Sequence, residues 1–245
     1  MNYTELSPAQ IVKHDIRAAA VFERYSIDFC CKGKDALLRT CAEQHIDIRS
    51  VTEDLSRLGL IPPKHEQTEK YDTMLASDLI TIILDRHHSY VRRALPIIQR
   101  HIHRVVERHG ADYPETIEVA QLFDTLADDL EAHLYKEEHT LFPAIFRMEM
   151  AARFGLKPPE HQFGTVSNPL TAIEEEHDKA GTIMRKIREL TGNYTPPPTA
   201  CNTFKATYAE LKEFEEDLHK HVHLENNILH DKARDLENQQ RLQAA

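Results

Sequence analysis

From Ser77 onward, apolar residues recur at the spacing of one helix face. Leu79, Ile82, Ile83, Val91, Leu95, Ile98, Ile102, Val105 and Val106 form one stripe, which predicts a long helix ending near Gly110. A second stripe starts after Pro114 and runs through Ile117, Val119, Leu122, Leu126, Leu130, Leu134 and Leu141. Pro143 is expected to kink this helix rather than end it, because the segment from Ile145 to Phe154 keeps the helical pattern. Asn168-Pro169 reads as a cap followed by proline and opens a third helix to about Leu190, closed by Gly192 and Pro196-Pro197-Pro198. A fourth runs from about Cys201 to Asp235. Four long helices with mostly short connections predict an antiparallel four-helix bundle.

Ahead of them lies a different pattern of shorter elements. Ser7-Pro8 is a helix start, and Ile11, Ala18, Val21, Phe22 and Tyr25 follow at near-helical spacing. The segment from Tyr25 to Gly33 breaks the pattern, Lys34 to His45 resumes it, and a third short helix is expected over Ser50 to Leu58 before Gly59 and Pro62-Pro63. The expected organisation is therefore all-α. Residues 1–60 form a small helical domain, 61–73 a linker, 74–236 the bundle and 237–245 a polar tail expected to fray.

Composition agrees with long helices. Only 7 glycines and no tryptophan occur in 245 residues, too few glycines for a turn-rich β fold. A net charge of −10 excludes binding nucleic acid by phosphate neutralisation. The first residues lack the apolar core of a secretory signal, and the longest apolar run, Leu79 to Leu84, is too short to span a bilayer. The expectation is a cytoplasmic protein without a membrane segment, its four cysteines reduced.

The 16 histidines change the picture, because imidazole is the commonest side-chain metal ligand. His133/Glu137 and His221/Glu225 repeat one pattern, and residues four apart on a helix share a face. The spacing alone is weak: about 1.6 such pairs arise by chance in this composition, and His65/Glu69 and His103/Glu107 match it too, as expected surface ion pairs. Nitrogen and oxygen donors suit iron, manganese or zinc, whereas thiolates would suit zinc or an iron–sulfur cluster.

Context singles out two of the four. His133 and Glu137 precede Glu138 and Leu141-Phe142-Pro143, while His221 and Glu225 precede Asn226-Asn227 and Leu229. Here the chain resembles the hemerythrin-like bundles, and more closely the iron–sulfur cluster repair di-iron proteins, the RIC or ScdA/YtfE family. His88-Ser89-Tyr90-Val91-Arg92 with Leu95-Pro96 looks like that family's first-helix motif, and Glu176-His177-Asp178 with Ala180-Gly181 like its third. Val21-Phe22-Glu23-Arg24-Tyr25 through Asp28-Phe29-Cys30-Cys31 looks like its small leading domain. The resemblance implies that His88, His133, His177 and His221 are iron ligands and that Glu137 and Glu225 bridge two irons with an oxo or hydroxo group. Of about twelve octahedral positions, about one per iron would then remain for an exogenous ligand.

The chain departs from the family pattern twice. Leu229-His230-Asp231 stands where the family tends toward Leu-Phe-Pro, leaving His230 without a role, and Lys32-Gly33-Lys34 stands where the cysteine pair is usually followed by two glycines. His87 is an alternative to His88 as ligand, pointing about 100° away around the helix. His139, His219 and His223 are read as surface or outer groups, and Glu138 and Asp178 as either orienting acceptors or solvated carboxylates.

Adjacent cysteines cannot wrap one ion as C-x-x-C does, so Cys30 and Cys31 read either as two thiols in a turn or, by the resemblance, as a pair for thiol exchange or iron in transit. Lys32 and Lys34 are expected to favour the thiolate; Cys41 and Cys201 are read as structural.

The function that the resemblance implies is repair of iron–sulfur clusters damaged by nitrosative or oxidative stress, by donating iron. Its partners would be damaged iron–sulfur proteins, with nitric oxide or dioxygen as small ligands. Alternatives are a di-iron nitric oxide reductase and a hemerythrin-like oxygen or nitric oxide sensor, so enzymatic activity stays open. A homodimer is the candidate assembly.

Overall fold

A computed structural model of the chain describes residues 3–31, 33–59, 71–157 and 159–244, with side chains to 242. Lys32, residues 61–70 of the expected linker, and with them His65 and Glu69, lie outside the described residues. The described residues are helical and contain no strand. None of their helices is long and apolar enough to cross a membrane.

The elements are α1 (Pro8–His14), α2 (Ala19–Arg24), α3 (Leu37–Glu43), α4 (Ile48–Arg57), α5 (Ala76–Ile82), α6 (Ser89–His109), α7 (Glu115–Lys136), α8 (Phe142–Phe154), α9 (Ser167–Leu190), α10 (Asn202–Leu224) and α11 (His230–Ala244). Three π turns join helices end to end: Ile83–His88 between α5 and α6, Glu137–Leu141 between α7 and α8, and Glu225–Leu229 between α10 and α11. The chain divides into two compact units. One gathers Met1–Ile80, Phe146–Glu160 and His219–Ala245; the other gathers Thr81–Ile145 and His161–Leu218. The elements α5, α8 and α10 contribute residues to both.

In the first unit, Ser7 caps α1 as expected: its hydroxyl accepts Gln10 N–H, and the Gln10 side chain accepts Ser7 N–H. Asp15 ends α1 and caps the 3₁₀ turn Ile16–Ala18 through Arg17 N–H, so the expected single run is broken in two. The helix expected from Lys34 begins only at Leu37, because the preceding turn is closed by a glycine. A Cβ on Gly33 would lie 2.6 Å from Phe29 Cα and 2.8 Å from the Asp28 carbonyl oxygen, so only glycine fits. Phe22, Phe29, Leu37, Val51 and Leu55 are buried. Asp54 accepts from Tyr25 Oη–H (2.8 Å) and Arg24 (2.6 Å), and these bonds hold its carboxyl below the ordinary value. Buried Glu149 accepts the N–H of Ala76 (2.7 Å) and Ser77 (3.2 Å), placing a carboxylate at the positive end of α5. Helix α11 continues into the polar tail as far as Ala244, and buried Gln240 donates to the Met148 carbonyl (2.8 Å).

In the second unit, α6 and α7 run antiparallel. His88 meets Glu138, while Gln99 and His103 meet Asp124, so numbers fall on one helix as they rise on the other. Helices α7 and α9 are likewise antiparallel, with Lys179 on Asp129 (2.6 Å) and His133 on Glu176. Helices α6 and α10 pair through His101–Glu210 (2.7 Å) and the rings of Tyr90–Phe214. Arg188 on α9 donates to buried Glu215 of α10 (2.8 Å), which also accepts Tyr194 Oη–H (2.8 Å). Apolar stripes face inward through Val91, Leu95, Ile98, Ile102, Phe123, Leu126, Leu130 and Phe214, while Ile117, expected in the stripe, is exposed. Helix α9 begins at Ser167 rather than after Asn168, whose side chain instead donates to the Phe163 carbonyl (2.8 Å).

Pro143 neither ends nor isolates α8. The π turn Glu137–Leu141 lies immediately before it, where an α pattern would require the N–H that proline lacks.

Candidate metal centre

Each π turn touches a residue of the expected ligand set. Ile83–His88 ends on His88, Glu137–Leu141 starts on Glu137, and Glu225–Leu229 starts on Glu225. A π turn inserts one extra residue and re-aims the side chains that follow, a device concentrated at functional sites. His177 sits in the middle of regular α9.

In the second unit, the residues His88, His133, Glu137 and His177 come together and are buried, Glu137 completely. The carboxylate of Glu137 lies 3.4 Å from His88 Nε2 and 3.3 Å from His133 Nε2. His177 Nε2 is 3.1 Å from His133 Nε2. His133, Glu137 and His177 each offer a ligand atom within 4.8 Å of the others.

Two imidazoles are anchored from behind. His88 Nδ1–H donates to Glu138 (2.7 Å), whose other oxygen accepts from Arg92 (2.7 Å). Burial pushes the Glu138 carboxyl up, but the bonds from Arg92 and His88 outweigh it and hold the group below its ordinary value. His133 Nδ1–H donates to Glu176 (2.9 Å), which also takes Lys136. The bond from His133, followed by that from Lys136, pulls the Glu176 carboxyl down to about 2. An ionised carboxylate can only accept, so each Nδ1 carries the proton and each Nε2 turns its lone pair inward.

This donor set fits a divalent first-row cation. A buried carboxylate flanked by imidazole lone pairs, with no thiolate, suits iron, manganese or zinc. The Nε2 atoms of His133 and His177, 3.1 Å apart, are close enough for one cation to take both. A cleft of about 260 Å³, edged by Asp128, Asp129, Lys136, Glu176 and Lys179, reaches His133 and His177.

In the first unit, His221 and Glu225 are buried, with His221 Nε2 2.9 Å from Glu225 Oε1. The residues after this pair hold the cysteine segment. Asn226 and Asn227 donate side-chain N–H to the Cys30 carbonyl (3.4 and 3.1 Å), and the Asn227 amide nitrogen also lies 3.2 Å from His223 Nδ1. His219 bonds Glu23 and sets its ring edge-on to Phe29. Asp28 accepts the N–H of both Cys30 and Cys31 at 3.0 Å. The two sulfurs are 3.5 Å apart and not joined in a disulfide. Together with Asp28 they offer three ligand atoms within 4.8 Å.

Several expectations are corrected. Of the two alternatives, His88 faces Glu137 as expected, while His87 Nδ1 bonds Asp217 (3.0 Å). His139 is a surface group stacked on Tyr135, as expected, but His223 is buried, and burial pulls its pKa down to about 4. His230 is buried in the first turn of α11. Asp178 is exposed, the second of its two readings, and the outward acceptor on α9 is Glu176, one residue before His177. The Cys30 thiol is pushed well up, by its bond to Cys31, by burial and by Asp28, against the thiolate expected from nearby lysines. His103 and Glu107 are exposed, as expected.

Comparison with known proteins places this architecture. Residues 79–233 match the hemerythrin HHE cation binding domain, and residues 7–59 match ScdA_N, a domain of unknown function. The proteins named iron-sulfur cluster repair protein YtfE from Yersinia pestis (strain Pestoides F) and Yersinia pseudotuberculosis serotype O:1b (strain IP 31758) are each 33% identical over 233 residues, covering 95% of this chain and 98% of the relative. The chain belongs to the ScdA/YtfE family. Both family segments are present in order, and the cation-binding segment contains all six residues of the expected ligand set. The ScdA_N segment contains Cys30 and Cys31.

Proposed function

We propose that the chain is a di-iron protein that repairs damaged iron–sulfur clusters by supplying iron. The observation that carries this reading is Glu137, buried between the Nε2 atoms of His88 and His133, with each imidazole anchored behind by a carboxylate. In the proposed ligand set His88, His133, His177 and His221 each give a nitrogen, while Glu137 and Glu225 bridge. Ferrous ions held there would bind small ligands such as nitric oxide and remain exchangeable toward softer sulfur sites. The chain's own contribution is orientation: Glu138 and Glu176 keep the protons on Nδ1, so lone pairs face inward. The Cys30–Cys31 pair, grouped with Asp28, is the proposed relay through which iron reaches a client. Nearly full-length likeness to proteins named for cluster repair supports the reading. Residues 1–60 would be the thiol domain, 74–236 the iron bundle, and the setting the cytoplasm.

Incubating the iron-loaded protein with a nitrosylated cluster enzyme tests it: activity should return faster than with the same amount of free ferrous iron. No gain over free iron overturns the reading. Nitrous oxide produced with a reductant under anaerobic conditions would instead favour a nitric oxide reductase.

A further inference from the structure

We propose that Cys201 and His109 form a thiolate–imidazole pair, and that Cys201 is a site of reversible oxidation by hydroperoxides, separate from the metal centre and from the Cys30–Cys31 pair. The proposal does not depend on the function argued above.

Two elements of the second unit build the pair. Helix α6 ends on His109, and α10 begins at Asn202, one residue after Cys201. His109 Nε2 lies 3.3 Å from Cys201 Sγ. The imidazole is fixed by packing against Phe204 (5.5 Å between centroids), and Tyr113 Oη and Thr199 Oγ1, 2.6 Å apart, tie the same two segments together. The sulfur also accepts backbone N–H from Phe204 and Thr203, which puts it in the capping position of a long helix. A neutral thiol is a poor acceptor there. A thiolate is a good one, since the exposed N–H groups and helix dipole favour negative charge. The bond from Phe204, then that from His109, pull the thiol down to about 7, while Cys30 and Cys41 shift upward. Cys201 is also half-buried rather than enclosed, so a small oxidant can reach it.

The chemistry balances within the pair. The Cys201 proton passes to His109, giving thiolate and imidazolium. The sulfur attacks one peroxide oxygen, an S–O bond forms, and the O–O bond breaks. Cysteine is oxidised by two electrons to the sulfenic acid, and the peroxide is reduced to an alcohol or water. The departing oxygen takes the proton from His109. An external low-molecular-weight thiol returns it to the reduced state, first as a mixed disulfide with loss of water and then by a second thiol.

The magnitude is modest and measurable. At pH 7 a thiol of pKa about 7 is half ionised, about fifty times more than one near 9, and its lower nucleophilicity returns about eightfold, leaving about a sixfold advantage. Alkylation of the intact protein with iodoacetamide, read per cysteine by mass spectrometry, should label Cys201 first with a midpoint near pH 7. His109→Gln should raise that midpoint and slow labelling at pH 7 severalfold. Hydrogen peroxide followed by dimedone should place the adduct on Cys201, and dithiothreitol given before dimedone should prevent it. Running Glu137→Ala in parallel separates thiol chemistry from metal-driven oxidation. Cys30 or Cys31 labelling ahead of Cys201, or an unshifted Cys201 midpoint in the correctly folded His109→Gln protein, overturns the proposal. The wild-type pH profile decides the first point even if the variant does not fold.

Discussion

The same five-residue pattern occurs in two regions of the molecule, with different surroundings. His133 to Glu137 and His221 to Glu225 both place an imidazole and a carboxylate on one helix face, and both open into a π turn at the glutamate. After Glu137 comes Glu138, which accepts a hydrogen bond from Nδ1–H of His88, a proposed ligand. After Glu225 come Asn226 and Asn227, which hold the carbonyl of Cys30. Two residues after the leading histidine stands Tyr135, 62% exposed, in one copy, and His223, 1% exposed, in the other. The inward pattern is thus kept while the outer neighbours serve different tasks: one copy tunes a ligand, the other anchors a thiol segment.

The largest test of that comparison removes the shared carboxylates. Glu137→Ala should reduce iron loading to near zero by metal analysis, since it withdraws the acid that lies against both His88 and His133. Glu225→Ala should do the same if the copies are equivalent inward. A Glu225→Ala protein that keeps full iron would break the equivalence.

The next test separates the outer neighbours. Glu138→Gln and Glu176→Gln should each weaken iron binding by roughly 10–100-fold, measured by chelator competition, because the imidazole behind each loses its charged acceptor. Asn226→Ala should leave iron affinity within about threefold, because its amide serves the cysteine segment. Equal losses from Glu138→Gln and Asn226→Ala would erase the distinction.

Much of this was legible in the residues. The helical stripes located the long helices, and the His-x-x-x-Glu pairs in context located the buried acids. The π turns were not legible, because one extra residue leaves an apolar stripe readable as ordinary helix on either side. Residues 221–230 misled in another way. His-Val-His-Leu-Glu-Asn-Asn-Ile-Leu-His reads as half polar, yet every position is buried. Polar groups can be buried when they meet fixed partners, and here some of those partners are backbone carbonyls about 190 residues away in sequence, at Phe29 and Cys30. The role of Glu176 had a faint signal, a carboxylate beside a ligand histidine, but Asp178 carried the same signal and points to solvent. Cys201 was read as structural because helix capping by sulfur has no composition cue.

The smallest expected effect probes the thiol anchor itself. The Cys30 carbonyl accepts the shorter of its two amide bonds from Asn227, and the same amide group contacts His223 Nδ1. Asn227→Ala removes that donor from a buried acceptor, which costs about 1–3 kcal/mol when nothing replaces it. Asn226 still reaches the carbonyl at 3.4 Å, so the loss should fall at the low end, about 1 kcal/mol, read as a lower denaturant midpoint at unchanged slope. Iron content should stay at the wild-type value, because neither His221 nor Glu225 loses a partner to this change. Alkylation of Cys30 should rise, since a loosened segment opens a residue now 5% exposed. Faster Cys30 labelling with full iron would show that the fourth-helix copy of the pattern carries two separable tasks, and joint loss of iron and thiol protection would show one.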